Sequence, residues 1–198
     1  MQNRSAQTHQ RILGAALAVF AQSGYEASSV ADICAAAGVS KGAFFHHFPT
    51  KQAVFLELFE VWLAALDASM EAARRKARTI PDAMMQMTEM MGNVYQTARG
   101  YMPVFLEFWT QASHDPSVWQ VVIAPYRRYQ IYFASLVQEG ITEGSFKPVD
   151  PYLTARMIVA QAIGYLLQGV LDPGATDWSE EIHHSMKLLI SSLMEAEK

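Results

Sequence analysis

The stretch "SVADICAAAGVSKGAFFHHF", residues 29–48, decides the fold of the first quarter of the chain. Apolar residues at helical spacing follow Ser29, whose hydroxyl can accept from the N–H of Asp32 while the Asp32 carboxylate reaches back to the Ser29 N–H. Gly38 ends this helix after two turns, and Ser40 can cap another helix after a three-residue turn. Two short helices joined so tightly predict a helix-turn-helix.

Helical periodicity continues on both sides of this pair, and strand signals are nearly absent. A first helix ends at Gly24, and Thr50 caps a long fourth helix that runs from Lys51 to about residue 78. Beyond Pro81, segments rich in proline, glycine and Asp caps separate five further helices, at about 82–98, 102–113, 116–143, 151–171 and 177–196. The sequence therefore predicts an all-α protein of about nine helices, with a three-helix N-terminal module joined by a long helix to a larger helical domain.

Composition indicates a folded cytoplasmic protein. Of the 198 residues 51% are apolar and 17% charged, and the single cysteine, Cys34, excludes an internal disulfide. We expect no secretory signal, because no run from residue 1 combines a charged start, an apolar stretch and a small-residue cleavage site. We expect no membrane span, because no uncharged apolar run reaches roughly 18 residues. Residues 1–52 carry four basic and two acidic side chains, whereas the whole chain has 15 against 19. This shift predicts a boundary between a first domain, 1–52, and a second, 53–198.

The adjacent histidines His46 and His47 raise the question of a metal site. Neighbouring residues on a helix diverge by about 100°, whereas two ligands of one ion need a spacing of three or four. His183 and His184 have glutamates three residues before them, but a di-iron site needs that motif from two helices. We therefore expect neither a metal nor a cofactor.

The third helix has two different faces. Phe44 and Phe48 lie four residues apart and are expected to pack inward on Ile33 and the first helix. Its start and outward side hold Lys41, Gly42, Ala43, Phe45 and His46. A recognition helix presents such a face to the major groove of DNA.

The segment "AAAGVSKGAFFHHFPTKQAVF", residues 35–55, preceded by "SGYEASSVADI", residues 23–33, resembles the signature of the tetracycline-repressor (TetR) family of bacterial transcriptional regulators. The match is strong over residues 5–60. The resemblance implies a DNA-binding first domain and a second domain for ligand binding and dimerisation.

Carried over by position, the resemblance also implies which residues contact DNA. Lys41 and Ala43 would approach base edges, and Gly42 would let the backbone come close. Phe45 stands where the family usually has tyrosine, so it keeps stacking or methyl contact with thymine but lacks a hydroxyl for a phosphate. The whole set is Ser29, Ser40, Lys41, Gly42, Ala43, Phe45, His46, His47 and Lys51. Two simpler interpretations stay open: Ser29 only caps its helix, and Lys51 only places a charge at the start of its helix.

The segment "YLTARMIVAQAIGYLLQGVL", residues 152–171, carries one charge, Arg156. A helix this apolar is covered on both sides, so its outer face needs a partner. With the final helix it predicts a homodimer, which would place two recognition helices about one turn of DNA apart, facing a palindrome. The TetR resemblance implies the same dimer.

Methionine and aromatic residues concentrate between residues 84 and 133. Most of them are expected in the core, although flexible thioethers beside large rings also suit a pocket for an apolar ligand. Ligand sensing is implied by the family resemblance, and Phe108, Trp109 and Tyr126 are the predicted lining residues. The sequence does not identify the effector.

The function predicted from these observations is a ligand-responsive repressor that binds a palindromic double-stranded DNA operator as a homodimer and is released by a small, largely apolar effector. An enzyme is not expected, since the sequence has no nucleophile motif, phosphate loop or paired metal motif. The alternative is a helical protein-binding adaptor without DNA binding, which the acidic second domain would favour. An adaptor does not require the basic balance of residues 1–52.

Overall fold

The computed structural model describes residues 2–98 and 101–194. These residues form nine α-helices and no β-strand, which confirms the all-α prediction. The helices are α1 Gln2–Ser23, α2 Val30–Ala37, α3 Lys41–His47, α4 Lys51–Lys76, α5 Ile80–Ala98, α6 Met102–Ala112, α7 Pro116–Thr142, α8 Pro151–Leu171 and α9 Trp178–Leu193. The predicted boundaries differ from these by one or two residues, except at the end of α9. There the predicted final residues, 195 and 196, lie outside the described part of the chain.

The chain divides into two compact units. The first unit contains the residues up to Ala65 together with Pro103–Gln111, and the second contains Leu66–Met102 and the residues from Ala112 onward. Helix α4 therefore contributes to both units, and most of α6 belongs to the first. The functional division at residue 52 stays a prediction.

An aromatic core holds the first unit together. Phe20, Phe44 and Phe48 are buried, as are the aliphatic side chains of α1 and α2 that face them. Burying a side chain of this size stabilises a fold by about 1.5–3 kcal/mol. The ring of Phe55 on α4 stacks on Phe108 of α6 with centroids 3.9 Å apart, so α6 takes part in this core.

Helix pairs build the second unit: α5 packs along α9, and α7 packs along α8. Along α9 the residues Ile182, Met186, Ile190 and Leu193 recur at helical spacing and are buried. The chain after α7 returns to the end of α9, where the N–H of Lys147 donates to the carbonyl of Leu193 at 2.9 Å.

Helix α8 is unusually apolar for a helix with an exposed side. Among the described residues it is the one helix long and apolar enough to cross a membrane by length and composition. Core helices of soluble proteins pass the same test, so this property alone is weak evidence for a span. Its exposed side carries large apolar groups: Tyr152, Leu153, Met157, Leu167 and Leu171.

Candidate nucleic-acid interface

Local hydrogen bonds fix the start of α2. The N–H of Ser29 donates to the Asp32 carboxylate at 2.9 Å, and the N–H of Asp32 donates to the Ser29 hydroxyl at 3.2 Å. The predicted capping box is thus confirmed. The Ser29 hydroxyl also donates to Asp32 at 2.6 Å, and these hydrogen bonds lower the pKa of the Asp32 carboxyl.

The turn between α2 and α3 depends on a glycine and on a side chain of α1. Gly38 has φ 62°, in the left-handed region that residues with a Cβ adopt at a cost. Arg11 donates to the carbonyl oxygens of Ala37 and, at 3.2 Å, of Gly38. The charge of Arg11 is therefore used to bind the carbonyl end of α2, a role that the sequence pattern did not predict.

Helix α3 separates an inner from an outer face, as expected. Phe44 is fully buried, whereas Phe45 is 54% exposed, and their rings meet edge-on at 5.3 Å. Ser40 caps the helix by accepting from the N–H of Ala43 at 3.1 Å. Lys41, Gly42 and His46 are exposed with Ser29 and Ser40, while Ala43 and His47 are partly exposed. All of these residues therefore have solvent-exposed surface.

His47 lies in a group of rings at the edge of this surface. Its ring centroid is 5.2 Å from that of His46 and 5.7 Å from that of His9. The ring of His9 stacks on Phe48 at 4.7 Å, and its Nε2 is 3.1 Å from the Glu57 carboxylate. Partial burial, followed by the charges of His46 and His9, lowers the pKa of His47. A neutral His47 at pH 7 can form a hydrogen bond but supplies no charge to a phosphate.

Lys51 points into the protein. Its Nζ donates to the carbonyl oxygens of Tyr25 at 2.7 Å, Ser28 at 2.8 Å and Glu26 at 3.3 Å, and lies 4.3 Å from the centre of the Tyr25 ring. An ammonium group has three donors, and the protein accepts from all three. A phosphate contact by Lys51 would compete with these bonds, so its role in DNA binding stays a prediction.

The same segment, Gly24–Ser28, is also held from α6. Glu107 accepts from the N–H groups of Tyr25 at 2.8 Å and Glu26 at 2.6 Å, and the Gln111 amide donates to the Glu26 carboxylate. Gly24, with φ 82°, permits this approach, since a Cβ there would lie 2.9 Å from the Glu107 carboxylate. Sequence analysis missed Glu107, which is 82 residues from Tyr25 and carries no local signal.

The three predicted ligand-binding residues occupy different surroundings. Phe108 is buried in the core of the first unit, where it meets Tyr25 edge-on at 5.1 Å. Trp109 packs beside Phe105 at 4.9 Å, and its indole nitrogen is buried without a hydrogen-bond partner among the described residues. Tyr126 is partly exposed in the second unit. A groove between α4 and α7, the α4–α7 groove, is lined by other residues: Asp67, Met70, Glu71, Arg128, Tyr129 and Tyr132.

Comparison with known proteins identifies two family models. Residues 12–58 match "Bacterial regulatory proteins, tetR family", and residues 81–193 match "BetI-type transcriptional repressor, C-terminal". The second match alone covers more than half of the chain.

Relatives of known sequence are regulators with a helix-turn-helix (HTH). The chain is 27% identical over 193 residues to YfiR of Bacillus subtilis, an uncharacterized HTH-type transcriptional regulator, covering 94% of this chain and 92% of YfiR. It is 36% identical over 86 residues to the HTH-type transcriptional regulator CymR of Pseudomonas putida, covering 43% of this chain and 42% of CymR.

Solved structures share the fold at lower identity. A transcriptional regulator of Saccharomonospora viridis in complex with choline aligns with a TM-score of 0.84 and 20% identity, covering 96% of this chain and 100% of that one. The fatty acid degradation regulator FadR of Bacillus halodurans aligns with a TM-score of 0.81 and 20% identity, covering 96% and 97%.

Proposed function

The chain belongs to the TetR family of bacterial regulatory proteins, and from this premise we propose that it is a cytoplasmic repressor that binds a palindromic operator as a homodimer and is released by a small, largely apolar effector. The family and the relatives are DNA-binding transcriptional regulators rather than enzymes. An adaptor without DNA binding is therefore set aside.

The outer face of α3 is the observation that carries the proposal. Phe44 and Phe48 anchor the helix in the core, so the side chains opposite them are held outward at fixed positions. Lys41 and Ala43 approach base edges in the major groove, and Gly42 lets the backbone come near. The exposed ring of Phe45 contacts a thymine methyl or stacks.

Contacts to the DNA backbone come from the edges of this face. Ser29 and Ser40 are exposed while capping their helices. The Ser40 hydroxyl can donate its O–H to a phosphate, whereas the Ser29 hydroxyl would exchange its bond to Asp32 for one to a phosphate. His47 donates one hydrogen bond, and His46 reaches the groove. Lys51 adds positive charge behind the segment that leads into α2.

Dimerisation is supported by exposed apolar groups on the last two helices. The exposed side of α8 includes Leu153, Met157 and Leu171, and α9 adds Leu188, which is 74% exposed. Large apolar side chains exposed in such number on two helices favour a protein–protein contact. We expect sedimentation at micromolar concentration to give a dimer, and Met157→Glu to give a folded monomer. A stable wild-type monomer would remove the dimer from the proposal.

The effector releases the repressor from its operator by shifting the dimer between two arrangements. The effector lowers operator affinity only if it binds more tightly to the arrangement in which the α4 helices are swung apart from operator spacing. Of the predicted lining residues, Trp109 has a buried indole N–H without a hydrogen-bond partner among the described residues, and a ligand could use this donor. The Saccharomonospora relative, solved with choline, is a precedent for a small ligand in this fold.

The test starts by selecting bound fragments from genomic DNA, and then measures affinity for the selected duplex at several salt concentrations. We expect a steep fall with salt, and Lys41→Ala should weaken binding about ten-fold and flatten the log-log salt slope by about 1. Lys187→Ala, which removes an exposed lysine of the second unit, is the matched control and should change neither value. If no fragment is enriched, or if both variants behave alike, the assignment of α3 is wrong.

A further inference from the structure

The α4–α7 groove has the size of a site for a small molecule. Three residues of α4, spaced i, i+3 and i+4, and three of α7, spaced i, i+1 and i+4, line a volume of about 270 Å³. Binding sites for drug-sized ligands start at about 300 Å³. An occupant of this groove is therefore a small molecule.

On one wall of the groove, formed by Asp67, Arg128 and Tyr129, the opposite charges are paired. The Asp67 carboxylate accepts from Arg128 at 2.7 Å and from the Tyr129 hydroxyl at 2.8 Å, so both of its oxygens have partners. Burial, followed by the hydrogen bond to Asp67, raises the pKa of the Tyr129 hydroxyl and keeps it a donor. A ligand gains little from displacing this network.

The other wall offers two groups whose bonding capacity is not used. The hydroxyl oxygen of Tyr132 is buried and has no hydrogen-bond partner among the described residues. Glu71 is exposed and pairs only loosely with Arg75, whose Nε lies 3.6 Å from the carboxylate. That distance exceeds a hydrogen bond, and exposed pairs of this kind contribute little. A buried hydroxyl without a partner is costly until a ligand supplies one.

Charge and shape at this wall favour a cation. Burial and then the Glu71 carboxylate raise the pKa of Tyr132. The carboxylates of Glu139 and Asp67 act in the same direction, and Arg74 opposes them. The hydroxyl thus stays neutral, and carboxylates outnumber cations among the charges that act on its pKa. Met70 is buried at the groove and supplies an apolar contact, and phenol faces attract cations.

We propose that the α4–α7 groove binds a small organic ammonium ion, which donates N–H hydrogen bonds to the Tyr132 hydroxyl oxygen and the Glu71 carboxylate while its apolar body lies against Met70. A role of this ion as the effector rests on the proposed function. Binding itself does not, because it depends only on the second unit.

The experiment measures binding of butylammonium to the full, DNA-free protein by calorimetry, with butanol as the neutral probe of the same shape. We expect butylammonium to bind at least ten-fold more tightly than butanol. Glu71→Gln and Tyr132→Phe should each weaken the ammonium at least five-fold and leave butanol unchanged. Glu89→Gln, which removes an exposed carboxylate of α5 outside the lining, is the matched control for charge. Both test variants should fold, since one changes an exposed group and the other removes a hydroxyl without a partner.

Equal binding of the two probes, no binding at millimolar concentration, or unchanged binding in both variants would each overturn the site. Operator affinity at fixed salt is then measured with and without butylammonium. If the ion binds as expected but operator affinity stays constant, the site stands and the proposed coupling to DNA binding fails.

Discussion

The two connections of the helix-turn-helix module are stabilised in different ways. The boundaries of α2 and α3 are set mainly by residues within a few positions, such as Ser29 with Asp32 and Ser40 with Ala43. The segment Gly24–Ser28, between α1 and α2, is instead held by side chains distant in sequence. Local capping, with one added contact from Arg11 of α1, sets the connection between α2 and α3. The connection between α1 and α2 depends on α4 and α6 being in place.

Replacing Lys51 should give the largest loss of stability, through the connection between α1 and α2. Lys51→Met keeps the apolar stem but leaves three carbonyl oxygens without their donor, so we expect the free energy of unfolding to fall by about 3 kcal/mol. Chemical denaturation measures this change. Lys41→Met, at an exposed position of α3, should cost less than about 0.5 kcal/mol. If the two variants are equally stable, Lys51 serves DNA binding rather than the fold.

The second-largest effect is expected at Glu107. Glu107→Gln leaves one carbonyl oxygen where two carboxylate oxygens accepted, so one of the N–H groups of Tyr25 and Glu26 loses its partner, at a cost of about 1–2 kcal/mol. Amide exchange at these two residues should accelerate. Glu60→Gln, at an exposed position of α4, should leave that exchange unchanged.

Operator affinity is a second measurement for the Glu107 variant, and the direction of its change separates two explanations. Loss of a negative charge alone should strengthen binding to a polyanion. If Glu107 positions the segment leading into α2, affinity should instead fall about five-fold, equivalent to about 1 kcal/mol. Tighter binding by Glu107→Gln would show that only its charge matters to DNA.

Ser29→Ala tests the local connection and should cost about 1 kcal/mol at pH 7. The folded state lowers the pKa of Asp32, so the bonds to its carboxylate stabilise the protein above the unfolded pKa of about 3.9 and are lost as pH falls through the folded pKa. The difference between wild type and Ser29→Ala should therefore shrink between pH 7 and pH 2.5. Asp32→Asn should show a similar loss at neutral pH. A difference independent of pH would mean that the carboxylate has no part in the cap.

The features of the fold that could be predicted from the sequence are those that residues close together in the chain determine. Helix positions, the caps at Ser29 and Ser40, the end of α1 at Gly24 and the inward rings of Phe44 and Phe48 all follow from spacing and from residue type. These features depend on neighbours within one or two turns, so a single sequence contains the information.

What sequence did not predict depends on packing between distant segments. Nothing near Lys51 indicates that its ammonium turns toward carbonyl oxygens, and nothing near Glu107 indicates a partner 82 residues away. Phe108 is apolar and aromatic in either a ligand pocket or a core, and only the fold reveals its stacking on Phe55. The α4–α7 groove likewise arises from two helices that are far apart in the chain.

The smallest expected change in stability is at the outer face of α3, which takes part in neither connection. Phe45 is 54% exposed, so Phe45→Tyr should change the free energy of unfolding by less than about 0.5 kcal/mol. The added hydroxyl can donate to a phosphate, a bond worth about 0.5–1.5 kcal/mol, and operator affinity should rise two- to ten-fold. Phe45→Leu, which retains an apolar side chain without the ring or a hydroxyl, should lower it. Tighter binding by the leucine variant, or equal binding by all three proteins, would place Phe45 away from the DNA and restrict the reading face to the residues around Lys41.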